Sequence, residues 1–352
     1  MRINPWYFDP IAASSRRANT SNGAKKESSL GAIRAGGNIA SVKGPSTTAS
    51  TTTNPNEIVD IMNLISQSET LSNQVKAQTG AQKTATQSTL TGILSRIQTM
   101  LTTSKSGGTD FLEGEGSQQG QWGICYAISS LYSIGKTMAS TVLSKIKNMF
   151  SVTSNGNIQV TFAKDANGNA FTKTQIERGV NKSIITSEDL KYIYSKGLFT
   201  RAAESAGDII ALAYGKMRAA MGGNLKPTAA QATVAASGGV PAYFMAALGA
   251  GTASYFFPSQ YSDSTLIQTI QAALTAKKAL VGASNGSGTQ IVASHAYTIV
   301  GMDSKNNIII RNPWGVDGST GNIKSDGKND GLITLTPAQF KANFSYISTL
   351  AA

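Results

Sequence analysis

A chain of 352 residues with a net charge of +12 and 40% hydrophobic residues can bury a full core, in one large domain or two ordinary ones. One cysteine excludes an internal disulfide and a cysteine-based zinc site, and one histidine leaves a single imidazole for chemistry near neutral pH. The basic excess is spread along the chain, with only RR at 16–17 and KK at 25–26 and 277–278, which fits a solvated surface and no nucleic-acid partner.

The opening MRINPWYFDPIAASSRRA lacks a continuous apolar segment. No ordinary secretory signal is expected there, so the expected location is cytoplasmic, or outside the cell by a signal-independent route. Residues 1–54 are rich in Ser, Thr, Gly and Asn, include the tract PSTTASTTTNP (45–55), and predict a disordered tail. Residues 55–108 predict two amphipathic helices, a regulatory, targeting or pro-segment extension. Ile58, Ile61, Leu64 and Ile65 line one stripe; Leu90, Ile93, Leu94, Ile97, Met100 and Leu101 line the other, with a polar joint at 76–88. Those stripes need a partner: each other, the domain that follows, the cleft of that domain as an intramolecular inhibitor, or a secretion chaperone. SKSGGTD (104–110) breaks the pattern, so the main domain is expected over 109–352.

From Cys125 onward a helix is predicted, with Ile128, Leu131, Ile134, Met138, Val142 and Ile146 as its buried stripe. Around SNGN and DANGN the next residues alternate as hairpins do. Helical patterns return at 186–220 and 264–277. PAYFMAALGAGTASYFFP (241–258) is glycine-interrupted and bounded by proline, which predicts a buried helix or helix pair and no membrane span. Two strands, 296–302 and 307–311, flank a DSKNN turn. A last strand precedes a short helix that opens on Thr336 and Pro337. Helices first and an antiparallel sheet last make the predicted fold class α+β.

The sole cysteine sits in QQGQWGICYAISS (118–130), after glycines and at the head of a helical run. A thiol nucleophile needs such a place, because a helix N-terminus favours the thiolate and a nearby imidazole takes its proton. His295, at the head of a strand, is the one residue available as that base. Asn312 ends the next strand of the same hairpin, where pairing brings it beside His295 to orient the ring. Gln119 lies six residues before the cysteine across a glycine turn and can supply an oxyanion donor, with Gln118 and Gln121 as neighbouring alternatives.

Gln-Gly-x-x-Gly-x-Cys-Tyr (119–126), His-Ala-Tyr (295–297) and Arg-Asn-Pro-Trp-Gly (311–315) resemble, in order, the three active-site blocks of papain-like cysteine peptidases, the calpain branch above all. The likeness covers roughly 109–350, with weaker echoes at AYGKMRAAMGG (213–223) and DGLITLTPAQFKANF (330–344). It implies a papain-like fold, a helical half and an antiparallel β half with the cleft between them. It implies a peptide or protein substrate, Cys125 as nucleophile, His295 as base and then acid, Asn312 as orienter and Gln119 as oxyanion donor. Trp314 would shield the His–Asn bond, and Gly123 and Ser294 would border the substrate. No metal and no cofactor enter such chemistry; calcium as a regulator is a calpain property carried by no residue here, and DANGNAFTK (165–173) begins like a calcium loop but lacks its closing glutamate. The chain departs from the family pattern at Ile124 and Tyr126, where Asp and Trp are usual, and at Ser294, where Gly is usual. The same triad also serves deamidases and transglutaminases, and a silent binding or structural protein is the third reading.

Overall fold

A computed structural model describes residues 56–103, 119–120, 122–200, 205–285, 291–318 and 327–352. The predicted tail at 1–54, the breaker at 104–110, Gln118 and Gln121 lie outside the described residues. Within them are eleven α-helices and two antiparallel sheets, so the α+β expectation holds.

Two long helices come first, α1 (Asn56–Ala77) and α2 (Gly80–Thr102). The turn between them is only Gln78 and Thr79; most of the polar stretch expected to join them is helical. Ile58, Ile61, Leu64 and Ile65 of α1, with Ile97 and Leu101 of α2, are buried in one core with the helices that follow. Glu57 accepts from both the N–H and the hydroxyl of Ser205, at the start of a later helix. The two helices pack on each other and on the domain that follows, two of the partners open to these stripes.

Next come α3 (Cys125–Thr137) and α4 (Ser140–Lys147), where one continuous helix was expected. Met138 and Ala139 are extended, with ψ of 153° and 155°, and this step turns Val142, Leu143 and Ile146 inward. The strands β1 (Phe150–Val152), β2 (Ile158–Thr161) and β3 (Lys182–Ile185) form a small sheet in that order, with α5 (Lys173–Glu177) between the last two. Of the two hairpin turns expected here, SNGN joins β1 to β2, while DANGN is a loop turn without flanking strands. Helices α6 (Ser187–Ser195), α7 (Ser205–Met221) and α8 (Ala229–Ala236) complete the helical half. Lys216 of α7 meets Asp189 of α6, both nearly buried, and holds these two together.

The run at 241–258 is not a helix pair. It is α9 (Pro241–Ala247) followed by β4 (Thr252–Phe256). Gly249 and Gly251 separate them because any side chain there would strike Ala163 or the Ala351 carbonyl, and the aromatic, β-branched remainder favours a strand. The rest alternates α10 (Asp263–Thr275), β5 (Ala279–Ser284), β6 (Ala296–Met302), β7 (Ile308–Arg311), β8 (Leu332–Leu335), α11 (Pro337–Asn343) and β9 (Phe344–Ala351). The sheet order is β4-β9-β5-β6-β7-β8. The DSKNN turn forms as expected, with the Asp303 carboxylate accepting from the Lys305 and Asn307 N–H groups. Thr336 caps α11 with Pro337 in its first turn. No described helix is long and apolar enough to cross a membrane.

Helix α3 lies directly on β5 and β6. Ser129 donates to the Ala296 carbonyl at 3.0 Å, Thr298 donates to the Ser129 carbonyl at 2.9 Å, and Ser133 accepts from the Leu280 N–H at 2.8 Å. These serines are at most 1% exposed. Small side chains let helix and sheet approach closely, and the hydroxyls satisfy the strand groups that the helix covers.

Two outcomes are expected. Ser133→Ala leaves the buried Leu280 N–H without this acceptor and lowers stability by about 1–3 kcal/mol in a denaturant melt. A chain beginning at residue 104 loses the cooperative unfolding transition, since it exposes the core that α1 and α2 cover; a melt like that of the full chain would mark these helices as a detachable segment.

Candidate active site

Cys125 is the first residue of α3 and remains partly exposed. Its sulfur faces the backbone N–H groups of Ala296, Tyr126 and Cys125 itself. Ala296 follows His295, so the docking of α3 on β6 brings the sole thiol to the backbone of the residue next to the sole histidine. Burial, the larger effect, pushes the thiol up to about 11, and the three N–H groups pull the other way.

His295 is 6% exposed, at the entrance to β6. Its backbone is held on both sides by β5, since Ser284 receives its N–H at 2.9 Å and donates to its carbonyl at 3.1 Å. Its Nε2 lies 2.9 Å from Oδ1 of Asn312. The Asn312 amide can take only one orientation, because its Nδ2 donates to the Val316 carbonyl at 2.9 Å while Oδ1 also accepts from the Trp314 N–H at 3.1 Å. Oδ1 therefore faces the ring, Nε2 carries the proton, and Nδ1 of the neutral ring keeps its lone pair. Burial lowers the imidazole to about 4, against the smaller opposing effect of Asn312. Burial thus favours the uncharged thiol and uncharged imidazole, where the sequence suggested an ion pair.

Trp314 packs on His295 with ring centroids 4.6 Å apart and a 49° tilt. Tyr297 closes the other side at 4.9 Å. Gln119 is joined to the Asn312 loop by its own N–H, which donates to the Pro313 carbonyl at 2.7 Å. Its side chain does not turn back to the Cys125 N–H; Nε2 donates to the Trp122 carbonyl and Oε1 is buried without a hydrogen bond. An amide nitrogen has a second N–H, so the Gln119 nitrogen keeps a donor beyond that bond.

Gly123 is half-buried and its carbonyl accepts from the Gly238 N–H at 2.8 Å. That contact reveals a wall not foreseen from the sequence. Gly239 cannot carry a side chain, because a Cβ would lie 2.7 Å from the Tyr126 ring. Arg218, buried in α7, donates to the Gly238 carbonyl at 2.6 Å. The Gly-Gly pair was visible in the sequence, but such a pair reads as a turn until its tertiary neighbours are known. Tyr126 donates to the Ala236 carbonyl at 2.7 Å and packs edge-on against Phe244.

Ser294 is exposed with φ of 51°, in the left-handed region that glycine prefers. The backbone thus keeps, with a serine, the conformation for which glycine is suited. Among the described residues, no three His, Cys, Asp or Glu side chains gather as metal ligands would. The acid of DANGN, Asp165, turns Oδ1 onto the Asn167 and Asn169 N–H groups of its own loop. Two surface hollows of about 200 and 240 Å³ lie at the far end of α3 and beside β2; neither includes Cys125.

Comparison with protein-family models and with curated proteins gives no match for this chain. The reading of the site therefore rests on its own geometry.

Substitution at Ser294 tests that backbone. Ser294→Val should lower stability by about 1–2 kcal/mol in a denaturant melt, because a branched side chain resists positive φ. Ser294→Gly should stay within about 0.5 kcal/mol of the parent, as relief of strain offsets the added freedom of the unfolded chain.

Proposed function

We propose that the chain is a cysteine endopeptidase of papain-like fold, with a calpain-like catalytic domain over 109–352. The observation that carries this reading is one arrangement: the sole thiol at a helix N-terminus, against the N–H that follows the sole histidine, whose ring is oriented by a fully anchored asparagine.

In this reading the Cys125 sulfur bonds to a peptide carbonyl carbon while its proton passes to Nδ1 of His295. The carbonyl electron pair moves onto oxygen, where the Cys125 N–H and the second Gln119 N–H are the donors. Collapse breaks the C–N bond, the amine leaves with the proton from His295, and a thioester remains. Water then gives a proton to the same nitrogen and adds to the thioester; collapse releases the carboxylic acid and the sulfur recovers its proton. Asn312 keeps Nδ1 aimed at sulfur throughout, and Trp314 keeps water off the His–Asn bond. Acylation needs one proton on the Cys–His pair, which either the neutral or the ionic form supplies; in the second half water brings it.

Intact mass after incubation with an epoxide-type thiol inactivator tests the nucleophile. A single adduct on Cys125 is expected about a hundredfold or more faster than on free cysteine, with none on Cys125→Ala and slow labelling of His295→Ala. Labelling no faster than free cysteine would overturn the reading.

The pH profile of peptide hydrolysis should be bell-shaped. The acid limb falls as His295 gains a proton near 4, and the alkaline limb as Cys125 loses its proton near 11. The Asn312 bond raises the imidazole value, so Asn312→Ala should move the acid limb to lower pH while reducing the rate.

A further inference from the structure

The chain enters His295 through a turn that its own backbone does not hold. Among the described residues, Ile291, Val292, Ala293 and Ser294 make no hydrogen bond to another backbone group. Ser294, at the end of the turn, has φ of 51°, a conformation that is costly for any residue with a side chain.

Two hydroxyls supply the hold, and both grip Val292. Ser284, the last residue of β5, donates to the Val292 carbonyl at 2.6 Å. Tyr297, in β6, accepts the Val292 N–H at 2.9 Å. Both polar backbone groups of Val292 are thus fixed by side chains from two paired strands. The same two residues meet His295. Ser284 takes its N–H at 2.9 Å, and the Tyr297 ring stands edge-on to the imidazole, 4.9 Å away at 88°.

The Tyr297 ring is held by its own packing. It is fully buried, and Phe344 backs it with centroids 5.7 Å apart. Phe344 reaches that place through a β-bulge in β9: Ser284 pairs with Phe344 and Ala283 with Tyr346, so Ser345 is the extra residue. Phe340 stacks on Phe344 in turn at 4.2 Å. A ring so packed carries its hydroxyl to one point, and burial holds the phenol above its ordinary range, so it stays neutral.

Asn312 holds the far end of the imidazole through Nε2. The turn at 291–294 holds the backbone at its root. Nδ1, the nitrogen with the lone pair, keeps one direction only when both ends are fixed. We propose that Tyr297 is a positioning residue, whose hydroxyl, with that of Ser284, holds this turn and so fixes the direction of Nδ1. The inference rests on the peptidase reading for its catalytic consequence, and adds a group that acts only through His295.

The test is Tyr297→Phe in the full chain, which removes one oxygen and keeps the ring against His295 and Phe344. With histidine nitrogens isotope-labelled, the sole imidazole gives NMR signals that need no assignment. In the native protein one nitrogen should read as protonated, with a resolved N–H, and the other as bare. In Tyr297→Phe that N–H should exchange with water at least about tenfold faster, and the two nitrogen signals should move toward each other as the tautomers mix. Labelling of Cys125 by the epoxide inactivator should slow about tenfold or more. Lower stability alone would move neither reading in the folded protein. Should the variant fail to fold, by circular dichroism, Ser284→Ala removes the other hold on Val292 and decides by the same two readings. Imidazole signals or a labelling rate unchanged in the folded variant overturns the inference and leaves the peptidase reading standing. Labelling of the native chain no faster than of free cysteine overturns that reading instead, and the imidazole signals alone then decide the positioning role.

Discussion

The site depends on the docking of α3 against β5 and β6. The helix that opens on Cys125 and the strand that follows His295 are far apart in sequence, the two residues 170 positions from each other. Ser129, Ser133 and Thr298 join them with hydrogen bonds to strand and helix backbone, in a layer that water does not reach. The close approach that small serines permit is what sets the Cys125 sulfur on the Ala296 N–H. Bulkier apolar residues at those places would fill the same core but hold the helix away from the strand and leave buried strand groups unpaired.

Around that contact the site is built as a chain of fixed orientations. The carbonyl of Val316 settles the Asn312 amide, the amide settles the imidazole, and Ser284 settles the backbone of His295 from both sides. The Gln119 N–H joins the turn before α3 to the Pro313 carbonyl, so the loop before Cys125 and the loop after Asn312 are linked. The cost of such enclosure is electrostatic: burial disfavours charge on both the thiol and the ring. Backbone N–H groups at the helix start oppose that effect on the sulfur without introducing another charged side chain.

Irregular backbone shapes the edges of the site. The bulge at Ser345 sends Phe344 into the core and puts Tyr346 in register with Ala283 and Ala296, and positive φ at Ser294 brings the chain into His295. The first two helices serve the framework, with Ile61, Ile65, Ile97 and Leu101 in the same core as Leu131 and Ile134 of α3. Glu57 extends that role by accepting from the first residue of α7.

Much of this was legible in the sequence because it is local. Apolar spacing marked α1, α2, α3 and α10; Asn-Gly and Asp-turn chemistry marked the β1–β2 and β6–β7 connections; Thr336 and Pro337 marked the start of α11. The sole cysteine after glycines and the sole histidine before a strand named the site, and hairpin pairing placed Asn312 beside His295. Other features were hidden because they are decided by contacts between distant residues. The turn inside 241–258 follows from Gly249 and Gly251 meeting Ala163 and Ala351. The Gly238–Gly239 wall exists only against Gly123 and Tyr126, and the face of Tyr346 depends on a one-residue slip in strand pairing. The uncharged state favoured for the thiol and ring follows from burial, which no local pattern reports. The sequence by itself determined which residues have the chemistry and which local shapes carry them. Only the tertiary structure decided how they meet, because burial, register and close approach are set by residues far away along the chain.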